Sequence, residues 1–473
     1  MTPNKTVRIL SVLVFFAGLS LPARSAGLLF DKGEYAARRL KLMEKIPDGA
    51  AVLFGVPSGT EYGLFQTNDF IYFTGVEVPG AVLIMDGTRK TSALFFTMTE
   101  KTAKGEGIDP AIVRQPKETT GIEDVYPYEA FSPYLQRLSG RVPVLYTSFL
   151  SEEVGRETAA GKFQEIFRNM TTNEWDGRLT RELQFVKLLR ERFPQAAVKD
   201  STELIRDLRK IKSSAEVEMM RRAGRIGAKA HIELMKSSRP GLYEYELSSL
   251  FEHVCKANGA MGLAFETIIS SAENHAFIHY CRHDRLLKDG DFLVVDAGPD
   301  LGYYDADISV SFPANGKFTP RQREIYEACN EVSKACLGLY RPGVTAYEVG
   351  GKVREILKAK GYDLSKDVFA KLRFFKEGGL THSVGLAVHD AAGRDFAPDE
   401  PFRAGMVFAS DVFAVYEAEN LGVRVENTVL ITGSGCENLT PGIPREIPEI
   451  EALMRKKGLV QILKENGIDL PGL

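Results

Sequence analysis

The chain of 473 residues is 44% hydrophobic and 26% charged, with a formal net charge of −3. It is long enough for two domains with a core each, too apolar to stay disordered, and not basic enough to present a nucleic-acid surface. Five cysteines (Cys255, Cys281, Cys329, Cys336 and Cys436) with no C-x-x-C pair argue for buried thiols and against a disulfide scaffold.

Lys5 and Arg8 precede an apolar run from Ile9 to Leu21, followed by Ala23-Arg24-Ser25-Ala26. Charge, run length and small residues together read as a signal peptide over residues 1–25, cut after Ser25 or Ala26. The run is short for a membrane span, and no comparable run follows. A secreted or periplasmic mature protein is expected; an uncleaved N-terminal anchor is the rival reading.

Residues 26–203 are expected to form a first α/β domain. Strand-like runs fall at Ala51–Phe54, Phe70–Phe73, Ala81–Met85, Ala93–Met98 and Val142–Tyr146, and helical spacing at Tyr35–Lys45, Ala130–Leu138 and Thr180–Phe193. No metal-ligand or nucleophile pattern occurs there. Trp175 stands in a polar stretch and fits either a core or an interface position.

Near residue 204 the pattern turns more helical, and a second domain is expected over 204–473. Ser213 and Glu216 form a capping-box pair ahead of Val217, Met220, Ala223, Ile226 and Ala230, with a stop before Pro240-Gly241. A second helix around Glu244–Val254 closes at Asn258-Gly259. Strands are then expected at Leu263–Ser270 and Ala276–Tyr280. A hairpin follows, Phe292–Ala297 and Tyr303–Phe312, broken at Gly298–Gly302. The order then repeats. Thr319-Pro320-Arg321-Gln322 caps a helix to about Tyr340, Pro342-Gly343 ends it, and Thr345 and Glu348 cap the next. Strand-like segments follow at Leu380–Val388, Met406–Val415 and Gly422–Thr432. Helix, Pro-Gly, helix and strands thus occur twice, which reads as an internal duplication about a pseudo-two-fold axis.

Both halves place acids inside apolar strand patterns. Side chains alternate faces, so Val294 shares a face with Asp296, and Asp305, Asp307, Ser309 and Ser311 share another. In the second half the same holds for Asp411 with Val407 and Ala409, and for Arg424 with Glu426. His382 lies in LTHSVGLAVHD, with His389 seven residues on. Solvated strand ends would explain the acids one at a time. If the halves face each other, Asp296, Asp307, His382, Asp411 and Glu426 converge, and such a set needs cations to share an apolar pocket. A mostly oxygen donor set with one imidazole favours Mn²⁺, Co²⁺ or similar ions. The spacing of His275, His279 and His283 suits a helical metal stripe only if that stretch is a helix, and its residues read as strand or loop.

Taken in order, these segments resemble the metallopeptidase family of aminopeptidase P, prolidase and methionine aminopeptidase, and most of all its aminopeptidase P branch. TNDFIYFTGVEVPGAVLIMDG (67–87) resembles the creatinase-type N-terminal domain, and LRKIKSSAEVEMMRRA (208–223) the start of the catalytic domain. HYCRHDRLLKDGDFLVVDAGPDLGYYDADIS (279–309), THSVGLAVHD (381–390) and GVRVENTVLIT (422–432) resemble the ligand-bearing segments. The resemblance implies an α/β N-terminal domain followed by an α+β catalytic domain of the pita-bread fold. It implies Asp296, Asp307, His382, Asp411 and Glu426 as ligands of two divalent ions, Mn²⁺ first, with Co²⁺ or Zn²⁺ as alternatives. It implies His279 and His389 on the substrate side, Asp411 as proton carrier, Arg424 beside Glu426, a peptide with proline in second position as substrate, and a homodimer or homotetramer.

The chain departs from the family pattern at three places. Asp411-Val412-Phe413 stands where the family has Glu-Pro-Gly, Gly378 where many members carry a further His, and Val310 where an Arg commonly follows the second aspartate. A dipeptidase restricted to Xaa-Pro, a metal-free creatinase-type hydrolase and a non-catalytic peptide binder are the other readings.

Overall fold

The computed structural model describes residues 27–57, 65–151, 169–390 and 397–467, so the expected signal peptide lies outside the described residues. Among the described residues, no helix is long and apolar enough to cross a membrane.

The first sheet contains β1 (Gly49–Phe54), β2 (Val82–Asp86), β3 (Thr91–Phe95), β4 (Asp124–Tyr126), β5 (Val144–Thr147) and β6 (Ala197–Asp200), in the order β4-β3-β2-β1-β5-β6. β2 pairs antiparallel with β1 and β3, while β1–β5, β5–β6 and β3–β4 are parallel. Alternation sorts its side chains. Ala50, Val52, Val82, Ile84 and Leu145 pack with Leu135 and Leu189 of the helices Phe131–Ser139 and Arg181–Arg192. Ala51, Leu53, Leu83 and Met85, on the other face, join a core that continues into the second half of the chain.

Phe70–Phe73, expected as a strand, lies in the helix Asn68–Thr74, which Gly75 closes in the left-handed conformation. Every residue of that helix is buried. A fully buried short apolar run has no periodicity to tell helix from strand. Trp175 is 89% exposed and belongs to no core. Cys255, Cys329 and Cys336 are buried free thiols, and Cys281 and Cys436 are free and half-buried.

The helix Thr202–Lys210 carries the chain to the second half, where Ile211 bridges to Met406. Next comes the helix Ser214–Ser237, opened by the expected capping box: Ser213 Oγ accepts from Glu216 N (3.3 Å), and Glu216 accepts from Ser213 N (2.9 Å). The helix Glu244–Ala257 packs on it, and the pair Pro320–Leu337 and Ala346–Ala359 repeats the arrangement with capping boxes at Thr319 and Thr345.

The main sheet has β8 (Ile268–Ser271), β9 (Phe292–Asp296), β12 (Ser309–Pro313), β13 (Leu380–Ser383), β14 (Val407–Tyr416) and β15 (Leu421–Ile431), ordered β13-β14-β15-β12-β9-β8, with β16 (Cys436–Asn438) beside β15. Strands of the first half thus fill one side and strands of the second half the other, meeting where β12 and β15 pair antiparallel. Pairing at this seam is short, one registered pair, Ser309 opposite Glu426. Half-buried Arg445 braces it, donating to the carbonyls of Ser309 (2.7 Å) and Glu426 (2.8 Å).

The hairpin differs from its expected form. Pro299–Leu301 (β10) lies between Tyr304–Asp305 (β11) and Gly262–Leu263 (β7) in a small separate sheet, and only residues from Ser309 on align with β9. Leu263–Ser270 is accordingly split between β7 and β8. Ala276–Tyr280 is not a strand: a 3-10 turn spans Ala272–Ala276, and Ala272 has a φ of 49°.

Candidate metal centre

Strand register sets the acids in a line. Asp411 stands opposite Glu426, Glu426 opposite Ser309, Ser309 opposite Asp296, and Asp296 opposite Ile268. Directly opposed residues project from the same face, so three strands from two chain halves deliver three carboxylates to one row. Asp307 precedes Ser309 by two residues and so keeps to that face. Its backbone is pinned to β15, its N–H donating to Thr428 Oγ1 (2.8 Å) while the Thr428 hydroxyl donates to its carbonyl (2.9 Å). Asp305, in β11, pairs instead with Asp300.

All four acids are buried, at 3% exposure or less. Arg424, opposite Phe413 in the adjacent row, extends its guanidinium among them. It donates to Asp411 Oδ2 (3.0 Å from Nε), forms an ion pair with Asp296, and lies 3.3 Å from Glu426 Oε2. Glu426 Oε2 also accepts from the Ser309 hydroxyl (2.6 Å). Burial drives the carboxyls of Asp296, Asp307 and Asp411 well above the ordinary range; their neighbouring carboxylates push the same way, and Arg424 pulls against both. For Arg424, burial opposes the charge, but the acids outweigh it and raise its pKa.

His382, on β13, reaches Asp307 Oδ2 at 3.3 Å, and its ring lies 4.2 Å from that of His389. His279 is exposed, in the loop after the 3-10 turn. Beside it Phe277 and Ile278 edge a cleft with about 370 Å³ of empty volume, walled by Ile268, Val294, Phe413 and Val415 and ending at Arg424. The sheet face that bears the acids therefore continues into an apolar trough.

The donor set fits a cation. Asp307, His382 and Glu426 offer ligand atoms all within 4.8 Å of one another. Asp296 Oδ1, Asp307 Oδ1 and Asp411 Oδ1 are buried without a hydrogen-bond partner. A carboxylate left so in a protein interior costs several kcal/mol on the order of the unpaired-ion penalty, which a coordinated ion removes. Asp296 and Asp411 sit apart from the compact trio, joined by Arg424 rather than by proximity to His382.

The three departures separate here. The β14–β15 ladder keeps one register from Val407 to Tyr416, so Val412 and Phe413 continue a regular strand where a Pro-Gly pair would interrupt it. Gly378 has a φ of 56°, and a Cβ there would stand 2.6 Å from the carbonyl oxygen of Ala346; this backbone has no room for a further His. Val310 pairs with Val295 on the opposite, core-facing side of the sheet and takes no part in the site.

The stripe of histidines is not a metal site. His275 bonds Ser270 Oγ (2.9 Å) and the Phe292 carbonyl (3.0 Å), and His283 Nε2 accepts from Ile269 N (3.4 Å). Sequence reasoning placed Ser309 on the face of the acids without a role, and missed Thr428 and Arg445 around them and a buried charge cluster of Asp69, Arg209, Lys212 and Asp390 next to His389 in the chain. Only the adjacency of His389 and Asp390 hinted at the last.

Residues 218–433 match the model of metallopeptidase family M24, and residues 35–146 that of the aminopeptidase P N-terminal domain. The chain is 32% identical over 456 residues to a Xaa-Pro aminopeptidase of Escherichia coli, covering 89% of this chain and 97% of the relative. It is 28% identical to one of Haemophilus influenzae, again over 89% and 97% of the two chains. It is also similar to a solved structure of aminopeptidase P from E. coli in a low-pH form, with a TM-score of 0.71, 30% identity, and coverage of 90% of this chain and 98% of that one.

Proposed function

Because the chain belongs to metallopeptidase family M24, in its aminopeptidase P branch, it is a metallo-exopeptidase, and we propose that it is an exported enzyme removing the N-terminal residue of peptides with proline in second position. The observation that carries this reading is the buried row of Asp411, Glu426 and Asp296 with Asp307 and His382 beside it, three of its carboxylate oxygens lacking any partner. We read the centre as one for two divalent ions: Asp296 would hold one and His382 and Asp411 the other, with Asp307 and Glu426 contributing to both. The oxygen-rich set favours Mn²⁺. Bound there, such ions supply a Lewis acid that makes water nucleophilic near neutral pH.

The chain's own residues do the rest. Asp411 Oδ2 is held by Arg424, which leaves Oδ1 to take a proton from the attacking water and return it to the departing amine. His389, against His382, and His279, which follows the cleft residues Phe277 and Ile278 in the chain, would donate to the peptide carbonyl as negative charge develops. Arg424 keeps Asp296 and Asp411 in fixed positions. The apolar trough takes substrate side chains and excludes water. The reading includes a homodimer or homotetramer and a mature chain beginning near Ala26, checked by light scattering and N-terminal sequencing of native protein.

The test is release of the N-terminal residue from Xaa-Pro dipeptides and Xaa-Pro-Xaa peptides by protein first stripped with chelator and then given Mn²⁺. Turnover of the longer peptides, abolished by chelation and restored by metal, is expected. Turnover by metal-free protein would point to the creatinase-type hydrolase, cleavage of dipeptides alone to the dipeptidase, and tight peptide binding without cleavage to a non-catalytic relative.

A further inference from the structure

The segment from His382 to His389 is closed at its ends. Asp390 N donates to the Ser383 carbonyl (3.1 Å), and the Ser383 hydroxyl donates back to the Asp390 carbonyl. The Asp390 side chain then leaves the site and enters a buried cluster of charges. Its Oδ2 accepts from Lys212 Nζ (2.9 Å), and its Oδ1 from Arg209 Nε (3.0 Å) and a second guanidinium nitrogen. Arg209 spends its remaining nitrogen on Asp69 Oδ1 (2.6 Å), in the helix Asn68–Thr74 of the first domain. None of these four side chains is more than 9% exposed. Burial alone would raise the Asp390 carboxyl; Arg209 and Lys212 outweigh it and hold it below its ordinary value.

Burying three ion pairs among four charges is a poor way to gain stability, because apolar residues of similar volume often do as well or better. What such a cluster supplies is direction. Two guanidinium nitrogens converge on Oδ1 while the Lys212 ammonium holds Oδ2, so both carboxylate oxygens are fixed by charge-assisted bonds, and that carboxylate belongs to the residue next to His389. We propose that Asp69, Arg209 and Lys212 are positioning residues which, through Asp390, set where the His389 imidazole stands against His382 and Asp307, so that the first domain orients a substrate-side group of the second. The inference rests on reading His389 as a peptide-side donor.

A double-mutant cycle on the Mn²⁺-loaded full chain with a Xaa-Pro-Xaa peptide tests it, with Asp69→Asn as the remote change, since Asp390 variants risk not folding. Asp69→Asn is expected to lower kcat by roughly tenfold to a hundredfold, the scale of a misplacement near 1 Å, with metal content and circular dichroism unchanged. Arg209→Lys, which keeps the charge but loses the paired nitrogens, should lower kcat as well. In the His389→Ala background, Asp69→Asn should cost nothing further. Equal losses in both backgrounds, or no loss in either, would overturn the positioning role and leave the cluster as a domain brace. If His389→Ala itself left kcat unchanged, the reading of His389 would fall first, and the positioning role with it.

Discussion

Asp411 concentrates the residue-scale question. Its carboxylate is one methylene shorter than glutamate, and the unbroken β14–β15 register shows no bulge that would carry it forward. Oδ2 is committed to Arg424, and the compact ligand group is Asp307, His382 and Glu426 without it. Asp411→Ala should therefore lose the second ion and at least about a hundredfold in turnover, since it removes a ligand and the proton carrier together. Asp411→Glu should tighten the second ion, because the carboxyl advances by roughly one C–C bond, about 1.5 Å, toward the trio. Metal content by mass spectrometry and titration calorimetry reads both variants. Full occupancy and unchanged turnover in Asp411→Ala would remove the residue from the site.

At the scale of elements, the loop between β8 and β9 hangs on His275. Its Nε2–H donates to the Phe292 carbonyl, and in the neutral ring its Nδ1 accepts from the Ser270 hydroxyl (2.9 Å). Burial lowers its pKa from 6.5 to about 4, outweighing the carbonyl bond. The unfolded chain thus binds a proton between pH 6.5 and about 4 that the native chain refuses. The stabilising contribution of the neutral ring is complete above pH 6.5 and falls as pH drops through that window, by about 1.4 kcal/mol per pH unit. Urea unfolding of His275→Gln should show a shallower loss of stability from pH 6.5 to 4.5 than the parent; identical slopes would show that the ring is not held neutral. Elements of this kind divide what the sequence made legible from what it did not. Ser213–Glu216, Thr319–Gln322 and Thr345–Glu348 are local signals, and each opens a helix as expected. The acids of β9, β14 and β15 stood out because a carboxylate among Val and Phe needs a reason. Asn68–Thr74 was hidden because burial on all sides erases periodicity, and Ala276–Tyr280 because the loop is shaped by His275 reaching the backbone of β9, 17 residues on. Arg209 and Asp390 lie 181 residues apart, and no local pattern announces their pairing.

Across the whole molecule, the two domains share more than a linker. One face of the first sheet packs into the same continuous core as the catalytic sheet, and Asp69–Arg209–Asp390 ties the domains by charge. Four buried acids around a single Arg424 are more carboxyl groups than one cation can pair, and burial and mutual repulsion disfavour their ionised forms until an ion binds. An ion bound there has no counterpart in the unfolded chain, so its binding free energy adds to folding stability. At a free concentration a thousand times the dissociation constant the gain is about 4 kcal/mol, which at this chain length moves the melting temperature by several degrees, about 2 °C or less per kcal/mol. Scanning calorimetry with Mn²⁺ and with chelator should therefore show a metal-dependent rise, and the shared core makes both domains move in it together. A transition for the first domain that stayed fixed while the second shifted would mean that packing and the charge cluster do not couple them. The same result would leave His389 without a rigid support, since its position would then depend on a contact that opens independently of the metal.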